Sequence, residues 1–93
     1  MLSINEYFDG NVKSISFTGT DLPSTIGVMA VGEYTFGTSQ KEYMSVISGQ
    51  LEVKLPNQSE WKSVKEGNNF IVEANQSFDV RAPVETAYLC KYE

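Results

Sequence analysis

The chain has 93 residues, 41% of them apolar and 12% aromatic, with a formal net charge of -5. That is enough apolar mass for one small folded domain, 1–93, and too much for a disordered one. The seven basic residues are scattered without a run, which argues against a nucleic-acid partner, because phosphate backbones require a concentrated basic face.

The single cysteine, Cys90, cannot form an internal disulfide and fits a reducing compartment. No uncharged stretch approaches the length of about 18 residues that a membrane helix needs, and no leader pattern opens the chain. The expectation is a soluble cytoplasmic protein with no membrane partner.

In chain order, residues 5–10 carry two aromatics and close on Asp9-Gly10, a turn signal. Residues 12–17 alternate weakly and predict a strand; residues 18–24, with Gly19, Asp21 and Pro23, predict a loop. Residues 25–31 form a nearly continuous apolar run whose β-branched members favour a buried strand.

The organising stretch runs from Gly32 to Gly49. Two β-type segments flank the polar link Thr38-Ser39-Gln40-Lys41, and Glu42, Met44 and Val46 alternate with Tyr43, Ser45 and Ile47. After Gly49, Leu51, Val53 and Leu55 alternate with Glu52 and Lys54, one apolar face and one wet face. Short strands follow at 61–64, 70–72, 78–81 and 86–92, separated by turns rich in Asn, Gly and Pro. In the last strand Tyr88, Cys90 and Tyr92 share a face. About eight short strands and no stable helix predict an all-β sandwich or barrel.

Two glycines sit at telling distances. Glu42 enters a strand, six residues follow, and Gly49 turns the chain; this resembles the core of the first cupin motif, without its histidines. Gly67 is followed by five residues, then Glu73, Asn75 and Phe78, as in the second cupin motif. Here Glu73 replaces the usual proline, Asn75 the usual glycine, and Phe78 stands near the usual metal histidine.

The words Gly-Glu-Tyr-Thr-Phe, Val-Ile-Ser-Gly and Tyr-Leu-Cys-Lys-Tyr make the resemblance narrower: the chain is similar to the small single-domain pyrimidine/purine nucleoside phosphorylase family. The resemblance implies a cupin-type jelly-roll β-barrel acting as a homodimer. It also implies reversible phosphorolysis, in which a purine or pyrimidine nucleoside and inorganic phosphate give free base and ribose 1-phosphate.

The chemistry is compatible with the residues present. The absence of histidine removes Ser-His-Asp and Cys-His nucleophile systems and the three-histidine metal cup, so neither metal nor cofactor is expected. Phosphate arrives already anionic. The oxocarbenium-like transition state requires positioning and fixed electrostatics.

Glu42, at the motif position, is the catalytic candidate: it would hold ribose hydroxyls and balance cationic charge at the anomeric carbon. The competing reading is a strand-start carboxylate salt-bridged to Lys41 or another base. Tyr34 and Phe36 share a face and would either stack on a base or serve as core or dimer contacts. Met44, Phe78 and Tyr88 are further candidates for the pocket wall, with Cys90 read as a small buried hydrophobe.

For phosphate, Thr38 and Ser39 with nearby backbone amides, and Lys13, Lys41 and Lys91, are the alternatives. Arg81, the one arginine, should point outward beside Asp79 if Phe78 points inward. Trp61 is read as core or interface.

Two other classes compete. One is a cupin that binds a sugar or nucleoside without catalysis. The other is a metal-dependent cupin using Glu42 with Glu33 and Glu73, a poor ligand set for a transition metal.

Overall fold

The computed structural model describes residues 2–93, and the described residues form strands and turns without a helix. The strands are β1 (Ser3–Tyr7), β2 (Val12–Thr18), β3 (Pro23–Met29), β4 (Gly32–Gly37), β5 (Glu42–Ser48), β6 (Gln50–Lys54), β7 (Lys62–Lys65), β8 (Asn69–Val72), β9 (Ser77–Ala82) and β10 (Thr86–Tyr92). All pairings are antiparallel.

One sheet has six strands in the order β1-β2-β3-β10-β5-β8, and the other has four in the order β4-β9-β6-β7. The jelly-roll expectation therefore holds as two facing sheets rather than as one continuously bonded barrel. Ten strands stand where about eight were counted by turn spacing. β1 is the unforeseen one. It is an edge strand whose outward residues are exposed, so its sequence carries no clean alternation. Pro23 begins β3, the strand position that tolerates a missing N–H.

The inward faces of both sheets pool into one core. Alternation sets which side chains enter it: Val12 and Ser14 from β2, Met44 and Val46 from β5, Leu51 and Val53 from β6, Phe78, Val80 and Ala82 from β9, and Thr86, Tyr88 and Cys90 from β10.

The interior has two different ends. At one, Gly49 turns the chain with φ 102°, and a Cβ there would lie 2.6 Å from Thr86 Oγ1. The Thr86 hydroxyl shares its one proton between the carbonyls of Val84 (2.9 Å) and Gln50 (3.0 Å) and accepts from Gln50 N–H at 3.2 Å. This end is closed. The other end, where Glu42 pairs with Tyr92 and Phe36 with Phe78, stays open to a cavity.

The outer face of the four-stranded sheet is polar. Arg81 points outward as expected, but its partner is Glu52 across the β6–β9 ladder rather than Asp79. The two side chains are 3.1 Å apart, Nε to Oε1, at an angle that makes an ion pair and no hydrogen bond. Asp79 accepts from the Thr35 hydroxyl at 2.8 Å and faces Lys54 at 4.0 Å. Trp61 lies on this outer face, not in the core, with the Arg81 guanidinium 3.7 Å from its ring centroid.

Candidate active site

The cavity at the open end has a volume of about 200 Å³ and lies between the sheets. Its walls are Met29, Phe36, Met44 and Phe78, with Gly37 at the end of β4. Phe36 and Phe78 stack with centroids 5.8 Å apart. Its polar groups are the Glu42 carboxyl, the Cys90 thiol and the hydroxyls of Tyr7, Ser14, Tyr88 and Tyr92. Among the described residues, no lysine or arginine lines it.

Glu42 reaches the cavity because it opens β5 in phase with buried Met44 and Val46. The cross-strand register puts Tyr92 directly opposite it and Cys90 opposite Met44. The Cys90 thiol donates to Glu42 Oε1 at 3.5 Å, a weak bond. No ion pair engages Glu42 among the described residues, so the expected alternative, a bridge to Lys41, is absent; Lys41 lies 3.8 Å from Glu93 instead.

Burial pushes the Glu42 carboxyl above its ordinary range, and the thiol bond opposes this only in part. Burial likewise pushes the Cys90 thiol up to about 12, with the Glu42 charge adding to it, so the thiol stays protonated and remains a donor. The Tyr92 hydroxyl lies 3.1 Å from Thr25 Oγ1, and burial raises its pKa.

A second polar group lies across β10 from Glu42. In register, Asn5, Ser14, Gly27 and Tyr88 form one row over four strands. A Cβ on Gly27 would sit 2.7 Å from both Cζ and the hydroxyl of Tyr88. The missing side chain is what lets the phenol lie across β3 toward Ser14. Asn5 Nδ2 donates to Ser14 Oγ at 3.3 Å and to Ser16 Oγ at 2.9 Å. Burial pushes the Tyr88 phenol up to about 12, so it is a neutral donor.

Of the residues singled out from sequence, Glu42, Phe36, Met44, Phe78 and Tyr88 line the cavity together. Tyr34, Thr38 and Ser39 do not. The buried Tyr34 donates its hydroxyl to the Ala30 carbonyl at 2.7 Å and packs against Phe8 at 5.0 Å. The Thr38 hydroxyl donates to the Glu73 carbonyl at 2.7 Å and accepts from Gln76 N–H at 3.0 Å, so it staples the β4–β5 link to the β8–β9 turn. Ser39 is exposed outside the cavity.

The lysines proposed for phosphate are engaged on the outside: Lys13 with Glu6 at 3.7 Å, Lys41 with Glu93, and Lys91 with Asp21 at 2.9 Å. Glu33 and Glu73 lie outside the cavity, so Glu42 is the lone carboxylate lining it. Tyr7, Ser14, Met29, Gly37 and Tyr92 were missed. Tyr92 was readable, since it shares a face with Tyr88 and Cys90. Ser14 and Tyr7 come from the β1–β2 hairpin, whose docking over the cavity has no local signature.

The family model for pyrimidine/purine nucleoside phosphorylase matches residues 2–92. A pyrimidine/purine nucleoside phosphorylase of Saccharophagus degradans is 64% identical over 92 residues, 99% of this chain and 98% of that protein. One from Teredinibacter turnerae is 61% identical, covering 100% of this chain and 99% of its own.

Among solved structures, a protein of unknown function from Vibrio parahaemolyticus superposes with a TM-score of 0.96 at 42% identity, covering 100% of this chain and 99% of its own. An RmlC-like cupin from Shewanella frigidimarina superposes with a TM-score of 0.77 at 17% identity, covering 98% and 82%, a likeness of fold. With a cupin fold around an acidic, aromatic-walled cavity and a family match along nearly its whole length, the chain belongs to the pyrimidine/purine nucleoside phosphorylase family.

Proposed function

We propose that this chain is a pentosyltransferase that cleaves purine and pyrimidine nucleosides by phosphorolysis, with the open-end cavity as its active site. The observation that carries the reading is Glu42: a part-buried carboxylate, in a cavity with aromatic walls, whose one internal partner is a thiol. Its acceptor capacity is left for a ligand. Ribose offers paired hydroxyl donors, and the anomeric carbon develops positive charge as the glycosidic bond breaks. A carboxylate beside it stabilises that charge more than it stabilises the neutral nucleoside.

The step balances without another reagent. The bond from the anomeric carbon to the base nitrogen breaks, and its electron pair stays on nitrogen. A phosphate oxygen bonds to the anomeric carbon, and the proton of hydrogen phosphate ends on the base. The Phe36–Phe78 stack supplies a π-face that every base can share, which fits acceptance of both base classes.

The test is incubation with uridine and adenosine, with and without phosphate, followed by chromatography for free base and ribose 1-phosphate. Base release that requires phosphate supports the reading. Nucleoside binding with no release in either condition favours a non-catalytic binding cupin.

We also assign a homodimer and the cytoplasm. The aromatic residues near the two ends of the chain are engaged within it: Phe8 packs on Tyr34 and Phe36, and Tyr7 and Tyr92 line the cavity. What supports a partner copy is the outer face of the six-stranded sheet. There Ile4, Ile15 and Ile26 align in register, all exposed. Light scattering at micromolar protein should give twice the chain mass, and Ile15→Asp should halve it; a monomer in the unaltered protein refutes the dimer. The free thiol of Cys90 fits a reducing compartment, which cell fractionation checks.

A further inference from the structure

Resting on the phosphorolysis reading, we infer that inorganic phosphate is held by neutral hydroxyls, those of Ser14 and Tyr88, at the end of the cavity away from Glu42.

The charge distribution leaves little choice. Among the described residues, the cavity is lined by one carboxylate and no cation. The three lysines that seemed suited to phosphate are paired on the surface, and Arg81 lies behind β9 against Trp61. The Thr38 hydroxyl is occupied by backbone partners. An anion entering this cavity is repelled by Glu42 and must find donors elsewhere.

The Ser14–Tyr88 group is a built arrangement. Ser14 is 4% exposed and Tyr88 6%, and both line the cavity. Asn5 donates to Ser14 Oγ, so it fills one acceptor position, and the Ser14 hydroxyl keeps its own proton to donate, to the adjacent Tyr88 hydroxyl or to a ligand. Gly27 clears the space that lets the Tyr88 phenol lie beside Ser14. The phenol stays protonated and able to donate at every working pH. Tyr7, which also lines the cavity, offers a third hydroxyl.

Fixed donors of this kind hold an oxyanion without the reorganisation water would need. Glu42 lies four register positions further along, opposite Tyr92, and on the far side of β10. Ribose held at Glu42 therefore presents its anomeric carbon between the two groups, with phosphate approaching from the hydroxyl end.

The experiment titrates inorganic phosphate, followed by 31P line broadening, in the presence of free uracil, which does not react with it. The proteins compared are the unaltered chain, Ser14→Ala, Tyr88→Phe, and a triple variant Lys13→Met/Lys41→Met/Lys91→Met. Each lost hydroxyl should weaken phosphate binding about tenfold or more, and raise the KM for phosphate by a like factor with little change in the KM for nucleoside. The triple lysine variant should stay within about twofold, too small a change for a lost charged contact.

Unaltered binding in Ser14→Ala and Tyr88→Phe overturns the inference. So does loss of binding in the lysine variant, or no phosphate binding by the unaltered chain. If the hydroxyl variants lose phosphate but the unaltered chain releases no base, the phosphorolysis reading fails while the phosphate site stands.

Discussion

The two ends of the interior are built from the same strands and do different work. At the closed end, Leu51, Val53, Val80 and Thr86 are fully buried, and the one Thr86 hydroxyl is bonded to backbone. At the open end, β5 and β10 continue into Glu42, Cys90 and Tyr92, where a part-buried carboxyl has a thiol for company. The contrast teaches where the fold invests. Satisfied polar groups and dry packing stabilise one end, and the under-satisfied carboxyl that a stability optimum would remove is kept at the other. Substitutions should therefore separate by end.

The largest effect is expected at the closed end. Leu51→Ala removes a side chain with 0% exposure, and it should cost about 2–5 kcal/mol. Denaturant unfolding reads that loss, while the rate per folded molecule should be unchanged. Gly49→Ala follows. Its Cβ would meet Thr86 Oγ1 at 2.6 Å and the Glu85 carbonyl at 2.9 Å in a left-handed conformation. A cost of about 1–3 kcal/mol, read the same way, is expected.

At the open end the sign depends on pH. Burial holds the Glu42 pKa above its ordinary value of 4.5, so the folded state binds this proton more tightly than the unfolded chain does. Its contribution to stability is full below the ordinary value and lost as pH rises through the folded one. Melting curves from acid to neutral pH should show the unaltered protein losing stability relative to Glu42→Gln. The titratable groups facing Glu42 from β10 (Tyr88, Cys90 and Tyr92) are all pushed upward by burial and do not ionise in that window. The acid limb of the phosphorolysis rate should lie above the ordinary carboxylate range and vanish in Glu42→Gln. A limb at the ordinary value would mean Glu42 is solvated during turnover.

The smallest effect belongs outside both ends. Arg81→Met breaks an exposed ion pair and a stack on Trp61, which should cost at most about 1 kcal/mol. It should change Trp61 fluorescence and leave phosphorolysis alone.

Much of this division was legible in the sequence. Period-two alternation placed Glu42 in phase with Met44, Leu51 with Val53, and Tyr88 with Cys90, and it turned Arg81 outward once Phe78 pointed in. Pairing across long sequence separations was not legible. Arg81 meets Glu52 rather than its neighbour Asp79 because the β6–β9 register sets them side by side. Thr38 was a free hydroxyl in sequence and is a staple in the fold, because Gln76 comes to it from 38 residues away. Ser14 had no local mark at all. Its place in the cavity depends on Gly27, on Tyr88 reaching across, and on β1 supplying Asn5.

The most direct measurement is the rate of phosphate-dependent base release by Glu42→Gln beside the unaltered protein, each with its melting curve. A lost charged hydrogen bond is worth about 1.5–3 kcal/mol, so the rate should fall about one to two orders of magnitude while melting at neutral pH does not fall. A folded Glu42→Gln that releases base within about twofold of the unaltered rate would contradict the assignment of the open end as the site of chemistry.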